Sequence, residues 1–124
     1  MASELRVDTL KDSSGNNSVG MSYVAEGSAK GWIKYNGTGT IAISDSFNVA
    51  SITDETTGTT TVTFTNAMNN ANYSTVATCS DTAAHLQIVD ANQATGSYRQ
   101  RTLDGSLSLV DDPAVYGNAH GDLA

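Results

Sequence analysis

Hydrophobic positions along the chain recur mostly at every second residue, in short runs separated by clusters of glycine, asparagine, serine, threonine and aspartate. Alternation is the period of a β-strand with one buried face, and such clusters are typical of turns. The runs lie at residues 32–35, 40–43, 47–52, 60–65, 73–79, 85–89, 97–102, 106–110 and 114–120. None keeps the period of an amphipathic helix over about ten residues. This pattern predicts an all-β fold, an antiparallel β-sandwich of about eight short strands or a barrel, in which 47–52 and 60–65 form the best-defined hairpin.

The N-terminal region has a pattern of its own. Residues 3–10 alternate, with Leu5 and Val7 on one side and charged residues on the other, and residues 11–18 are all polar or turn-favouring. Two interpretations are open: an extended arm with a flexible polar joint, or an edge strand of the main sheet. We divide the chain into an attachment arm and joint at residues 1–18 and a β-sandwich domain at 19–124. Leu5, Val7 and Leu10 are the candidate interface residues of the arm.

The fraction of residues that can form a hydrophobic core is small for a chain of 124 residues. Hydrophobic residues make up 39% and aromatic residues 6%, while glycine, serine, threonine and asparagine are abundant. Such a chain is rich enough in β-branched residues to form sheets but buries little apolar area by itself. We therefore expect it to associate with further copies of itself.

Charge and apolar runs narrow the choice of partners. The net charge of −7 would repel a nucleic acid and an anionic lipid surface, and the chain has no basic cluster to offset it. It also has no apolar run of about 18 residues and no basic segment followed by an apolar one at its start. We expect no nucleic-acid partner, no membrane partner, and synthesis in a cytoplasm without secretion.

The stretch GWIKYNGTGTIA at residues 31–42 matches G-x-G-x-x-A in its second half. A dinucleotide-binding loop of that outline needs a following helix, whose N-terminus faces the pyrophosphate. Residues 40–43 continue instead as a strand, and Asn36 followed by Gly37 suits the positive φ values of a hairpin turn. The stretch is interpreted as a turn between two strands, with no cofactor.

The other residues with reactive or metal-binding side chains show no pattern of a catalytic site. The carboxylate pairs Asp54–Glu55 and Asp111–Asp112 lie in segments that resemble turns, where adjacent carboxylates are usually solvated. The two histidines, at positions 85 and 120, lack metal-ligand spacing. Cys79, the only cysteine, lies in a predicted strand and is interpreted as a small buried residue. We expect neither an enzyme nor a bound metal.

Two arginines and several aromatic residues are candidates for contacts between subunits. Arg99 and Arg101 lie on one face of a predicted strand, where they would be solvated edge charges or would pair with a carboxylate across a subunit interface. Tyr23, Trp32 and Tyr35 are core residues or interface anchors, and Trp32, next to Ile33, is expected in the core.

Residues 24–73 carry a resemblance to a known family. The segments VAEGSAKGW, YNGTGTIAI and DSFNVASITD, followed by TVTFTNAM and ANY, resemble a module of tailed-bacteriophage virion proteins of the tail-fibre and structural type. LRVDTLKD at residues 5–12 resembles the N-terminal attachment segment of phage fibre proteins, and HGDLA at 120–124 resembles the end of the module. The resemblance implies a β-sandwich subunit that assembles on a virion, commonly as a trimer, without catalytic residues.

Together these observations lead to one functional expectation. The chain is expected to be a non-enzymatic virion structural protein that forms a homotrimer and docks on the major capsid protein or another virion protein through its arm. Because it has no shaft repeat, an accessory capsid protein (decoration, cement or head fibre) is favoured over a short tail fibre. A receptor- or glycan-binding module at the tail is the alternative from another class, and a small enzyme or nucleotide binder is the third. Assembly would take place in the host bacterial cytoplasm.

Overall fold

The computed structural model describes residues 2–80 and 83–124, and these residues form ten β-strands, one α-helix and one 3-10 turn. Met1, the first residue of the predicted arm, and residues 81 and 82 of the predicted sandwich lie outside the described part. The strands are β1 Thr9–Lys11, β2 Ser18–Gly20, β3 Ala29–Asn36, β4 Ala42–Phe47, β5 Val49–Thr56, β6 Thr59–Phe64, β7 Ser74–Cys79, β8 His85–Ile88, β9 Ser97–Leu103 and β10 Val115–His120. Helix α1 spans Met21–Gly27, and the 3-10 turn spans Asp90–Asn92.

Eight of these strands form two four-stranded antiparallel sheets, which confirms the predicted β-sandwich. The strand order is β4-β3-β10-β7 in one sheet and β5-β6-β9-β8 in the other. Strands β3 and β10, the first and last of the sandwich, are neighbours in the middle of the first sheet. We call these sheets the β3 sheet and the β6 sheet.

The core lies between the inward faces of the two sheets, as alternation requires. Ile33, Tyr35 and Val115 of the β3 sheet are almost fully buried, and they belong to the same cluster as Val62 and Tyr98 of the β6 sheet. The predicted hairpin of residues 47–52 and 60–65 is confirmed as the pair β5–β6, in which Ile52 is opposite Val62.

The loop between β3 and β4 is a hairpin loop, as expected for residues 36–39. Its bend differs from the prediction, because the positive φ lies at Gly39 (61°) rather than at Asn36 or Gly37. Gly37 instead donates its backbone N–H to the carbonyl oxygen of Asp112, 2.9 Å away, and Asn36 accepts hydrogen bonds from the backbone N–H and hydroxyl of Thr38. A polar side chain that bonds the backbone two residues on is a common turn device.

Two local predictions are wrong, and one element was not predicted. Residues 106–110 form a loop rather than a strand, and Leu107 has a φ of 63° there. Asp54 and Glu55 lie in β5, whose hairpin turn comes later in the chain than predicted. Helix α1 was not predicted, because its seven residues MSYVAEG have no buried position and thus no apolar face to leave a periodic signal.

The N-terminal region stands apart from both sheets in its strand pairing. Strands β1 and β2 pair only with each other, with Leu10 opposite Val19, so the alternative of an edge strand in the main sheet is wrong. The strand predicted over residues 3–10 is reduced to its last part, and residues 2–7 have no regular secondary structure. The hairpin leads into α1 through a hydrogen bond from the N–H of Met21 to the carbonyl of Asp8, at 3.0 Å. Neither helix in the described ranges is long and apolar enough to cross a membrane.

Candidate functional site

The outer face of the β3 sheet carries an aromatic and apolar surface. Strand register places two rows of outward side chains across the four strands, in the order β4, β3, β10, β7. These rows are Phe47–Trp32–Asn118–Val76 and Asp45–Lys34–Tyr116–Thr78. We call the surface formed by Trp32, Lys34, Phe47, Val76 and Tyr116 the aromatic face.

The side chains of the aromatic face are exposed although three of them are aromatic. Phe47 is 55% exposed and Trp32 is 38% exposed. The two are register partners on neighbouring strands, so they lie side by side. The ammonium group of Lys34 lies over the ring of Tyr116, 5.5 Å from its centroid, an arrangement in which a cation is attracted to the ring. The prediction that Trp32 belongs to the core is therefore wrong.

Neighbouring residues show why Trp32 points outwards. In β3 the buried positions are Gly31, Ile33 and Tyr35, and the residues between them alternate to the other side. Gly31 is required at its position, because a Cβ atom there would come within 2.9 Å of the ring of Phe64. Tyr35 fits inside since its hydroxyl accepts a hydrogen bond from the amide of Gln100 at 2.8 Å. The inner side of β3 therefore suits Tyr35, and the larger indole remains outside.

The outer face of the β6 sheet has the opposite character. Glu55 accepts one hydrogen bond from the hydroxyl of Thr61 at 2.7 Å and pairs with Arg99 at 2.8 Å. The guanidinium Nε of Arg99 also donates to Thr61 at 3.1 Å. The hydrogen bond from Thr61 and the nearby charge of Arg99 lower the pKa of Glu55. The two outer faces of one sandwich thus differ, and only the β3 face concentrates aromatic residues.

Arg99 and Arg101 lie on the same face of β9, as predicted, and both are half-buried. The interpretation as solvated edge charge is wrong, because β9 lies between β6 and β8. The carboxylate partner of Arg99 is Glu55 of its own chain, while Arg101 is opposite Thr59 and Gln87 in the register of the neighbouring strands. A contact of either arginine with another subunit stays a prediction.

The three candidate residues of the arm are in a different part of the molecule. Leu5 is 79% exposed and Leu10 is 42% exposed, while Val7 is half-buried. Tyr23 on α1 is also exposed, at 77%. Leu5 and Val7 belong to the irregular residues 2–7, which we call the N-terminal segment. Its apolar side chain Leu5 is left uncovered by the rest of the chain, and Val7 is partly covered.

The total accessible surface of the chain is large, in agreement with the exposure of the aromatic face and of the N-terminal region. The chain exposes 7414 Å², about 1,100 Å² more than the roughly 6,300 Å² expected for a compact monomer of 12.9 kDa. One partner buries about 800 Å² in a standard protein interface. The surplus is therefore as large as one side of an interface.

The prediction that the carboxylate pair Asp111–Asp112 is solvated is wrong. Asp112 is fully buried, and its carboxylate accepts four hydrogen bonds, from the N–H and hydroxyl of Ser80 (3.2 and 2.6 Å) and from the N–H groups of Ala83 and Ala114 (both 2.9 Å). Burial raises its pKa, but these hydrogen bonds more than offset burial and lower the pKa below the usual value. Asp111 accepts a hydrogen bond from the N–H of Gly58 at 2.6 Å. Both carboxylates fasten loops to the sandwich.

The remaining chemical candidates are dispersed. The thiol of Cys79 is half-buried and lies 3.5 Å from the carbonyl oxygen of Ala83; burial and the charge of Asp112 raise its pKa, which lowers the fraction of the reactive thiolate. His85 is exposed on β8 and His120 is half-buried on β10. Within residues 2–80 and 83–124, no three acidic, histidine or cysteine side chains are grouped in a way that could hold a metal ion.

Comparison of the chain with protein-family models, with curated proteins and with solved structures finds no match. The virion resemblance therefore rests on the residues of the chain alone, and the exposed surfaces are the structural features that bear on function. Sequence reasoning identified the apolar residues of the N-terminal segment, but it missed the aromatic face. A signal for the face exists in the order Trp32-Ile33-Lys34-Tyr35, where both alternating sets contain an aromatic residue and only one set can be inside.

Proposed function

We propose that this chain is a non-enzymatic structural protein of a tailed-bacteriophage virion, an accessory capsid protein of the decoration, cement or head-fibre kind. It assembles as a homotrimer and attaches through its N-terminal region to the major capsid protein or another virion protein. The observation that carries the proposal is the exposed apolar N-terminal region, led by Leu5, outside both sheets of a folded sandwich. Nucleic acid and membrane are not among the proposed partners, in accordance with the net charge of −7.

Exposed apolar side chains raise the free energy of the isolated chain, and a partner that covers them lowers it. Leu5, Leu10 and Val19 would each gain stability on leaving water, by roughly 25 cal/mol for every Å² of apolar surface that a partner covers. Main-chain pairing with a partner strand would satisfy the backbone of residues 2–7 and fix their register. A short extended segment thus joins a compact subunit to a larger surface without a binding pocket.

Attachment can be measured with virions assembled without this chain. Purified chain is added, the virions are separated on a density gradient, and the bound chain is quantified. Serine in place of the apolar residues should abolish binding and leave the unfolding temperature of the sandwich unchanged, since these residues lie outside its core. The substituted residues are Leu5, Val7 and Leu10.

The matched control replaces the charged residues that alternate with them, which are Glu4, Arg6 and Asp8. This variant should bind nearly as well as the parent, because it keeps the apolar side chains. Binding that survives the apolar substitutions, or that is lost equally in the control, would refute attachment through the apolar side of this region. Immunolabelling of bound particles distinguishes the head from the tail.

A second candidate function, a receptor- or glycan-binding module at the tail, is favoured by one observation. Trp32 and Phe47 lie side by side on the outer face of the β3 sheet, next to Asn118 and Asp45. Exposed aromatic rings with planar polar groups beside them suit the apolar face and the hydroxyl groups of a sugar ring. A glycan array with the parent and a Trp32→Ala variant tests this; binding that depends on Trp32 would favour the tail module over the capsid protein.

A further inference from the structure

The aromatic face is too small to hold a protein partner by itself. Four strands about 4.8 Å apart and six residues long, at about 3.3 Å for each residue, cover roughly 400 Å². A standard interface buries about 800 Å² on each partner. A stable contact therefore needs the face together with a second apolar element.

The N-terminal segment has the shape and pattern of that element. Six residues in extended form reach about 20 Å, which is close to the width of four adjacent strands. In extended backbone, Leu5 and Val7 point to the same side, and the charged residues Glu4 and Arg6 point to the other. Such a segment could lie across the aromatic face with its apolar side down and its charged side in water.

Within one copy, these two surfaces do not cover each other. Leu5 remains 79% exposed and Phe47 55% exposed in the same chain. Each copy therefore offers an exposed Leu5 on its N-terminal segment and an exposed aromatic face. If the contact repeats from copy to copy, each copy buries its face against one neighbour and its segment against another, and these two contacts of roughly 400 Å² together reach the about 800 Å² of a standard interface.

We propose that the aromatic face binds a second copy of this chain, with the N-terminal segment of one copy lying across Trp32 and Phe47 of the next. The contact joins two different surfaces, so it repeats from copy to copy and closes into a ring if the rotation permits. This inference rests on the self-association in the proposed function, and it assigns the residues on both sides of the contact. Leu5 and Val7 would then support virion attachment by holding the copies together, and Leu10 and Val19 of the hairpin remain exposed for direct contact with the virion.

Cysteine pairs test the contact in purified protein. In a Cys79→Ser background, one chain carries Leu5→Cys and a co-produced chain carries Phe47→Cys. Under mild oxidation we expect a disulfide-linked dimer that contains one chain of each kind. The matched control pairs Leu5→Cys with Ser51→Cys, an exposed position on β5 of the other sheet, and should give little cross-linking.

Equal cross-linking in the two mixtures, or none in the first, would overturn the proposal. A chain that carries both Leu5→Cys and Phe47→Cys distinguishes contact between copies from contact of the segment with the face of its own chain. Linked oligomers support the contact between copies, whereas a monomer closed by an internal disulfide shows that the segment folds onto its own face and refutes it.

Association strength provides an independent measurement. Phe47 exposes about 110 Å² of the roughly 200 Å² of its side chain, so Phe47→Ser should weaken self-association by about 100-fold in sedimentation equilibrium. Tyr23→Ser removes a more exposed aromatic residue outside both surfaces, and it should leave association unchanged. A monomeric parent chain, or equal weakening in the two variants, contradicts the proposal.

Trp32, the only tryptophan, reports on the face itself. Its emission should shift to shorter wavelength as the chain concentration rises, and the shift should disappear when residues 2–7 are removed. An emission that responds to sugars but not to chain concentration assigns the face to a glycan and refutes the second copy. All these experiments omit virions, so their failure leaves virion attachment untouched, and a self-associating chain that does not bind virions would refute only the proposed function.

Discussion

The buried carboxylate of Asp112 is expected to be the polar group on which the loops of this sandwich depend most. The informative substitution is Asp112→Asn, which keeps the shape of the side chain. One carboxylate oxygen accepts three of the hydrogen bonds, from Ser80 and Ala114, and the other accepts the N–H of Ala83. An asparagine can keep the first three, but its NH₂ group then faces the N–H of Ala83, a donor against a donor.

The cost can be worked out from these contacts. A buried N–H that loses its acceptor costs about 1–3 kcal/mol, and a hydrogen bond to a neutral acceptor is weaker by roughly 1 kcal/mol than one to a charged acceptor. Relief from burying a charge offsets part of this sum. We expect Asp112→Asn to lower the free energy of unfolding by about 3 kcal/mol, a large share of the 5–15 kcal/mol typical of a domain. For a domain of this size the unfolding temperature should fall by about 10 °C.

Urea unfolding as a function of pH measures both the size and the cause of this effect. The folded pKa of Asp112 is lowered, so its contribution is fully present above the pKa of an unfolded aspartate, about 3.9, and is lost as the pH falls through the folded value. The difference between the parent and Asp112→Asn should therefore be largest near neutral pH and shrink below about pH 4. Asp111→Asn is the matched control, and it should cost less because Asp111 accepts one hydrogen bond, from Gly58.

Two results would refute this reasoning. If Asp112→Asn unfolds at the same urea concentration as the parent, the four hydrogen bonds do not hold the loops as described. If the variant is less stable than the parent but the difference in their free energies of unfolding stays constant in acid, the loss of stability comes from altered packing and not from the charge.

Three further predictions concern the sandwich. Gly58 and Gly39 both have positive φ, but a Cβ on Gly58 would lie 2.7–2.8 Å from backbone atoms and one on Gly39 would meet nothing. In urea unfolding, Gly58→Ala should lower the free energy of unfolding by about 3 kcal/mol and Gly39→Ala by about 1 kcal/mol, and equal losses would contradict this. The Cys79 thiol, with its pKa raised by burial, should react with iodoacetamide at least about 10-fold more slowly in native protein than in urea, as mass spectrometry would show, and comparable rates would count against its shielding. The pKa of Glu55 is lowered chiefly by the hydrogen bond from Thr61, so the stability advantage of the parent over Glu55→Gln should disappear as the pH falls below about 4, and an advantage that persists there in acid unfolding experiments would argue against the pair.

The sequence was sufficient for the sandwich because strand alternation and burial agree at its centre. In β6, Val62 and Phe64 alternate with threonines, and both are buried against the opposite sheet. In β10, Val115 and Ala119 likewise alternate with exposed residues. Where one alternating set is apolar and the other is polar, only one orientation of the strand hides the apolar set from water.

The aromatic face and the buried Asp112 could not be predicted for the same physical reason. In β3 both alternating sets contain an aromatic residue, so local pattern leaves the orientation undecided, and the choice depends on distant partners such as Gln100. Asp112 looks like any solvated turn residue, because its donors Ser80 and Ala83 lie far away in sequence. Such decisions are made by tertiary contacts that a linear pattern does not contain.

The central position of β3 and β10 has a consequence for co-translational folding. Tyr35 pairs with Val115 and Trp32 with Asn118, so the first sandwich strand to be synthesised must wait for the last before its sheet can close. Contacts between distant parts of a chain form slowly, since a long loop must close before they contribute any stability. The N-terminal segment emerges before all of this, and its Leu5 remains in water while the sandwich is incomplete. The proposed association of copies would therefore have to follow completion of the sandwich, and early capture of the segment by nascent neighbours is the hazard that this topology would create.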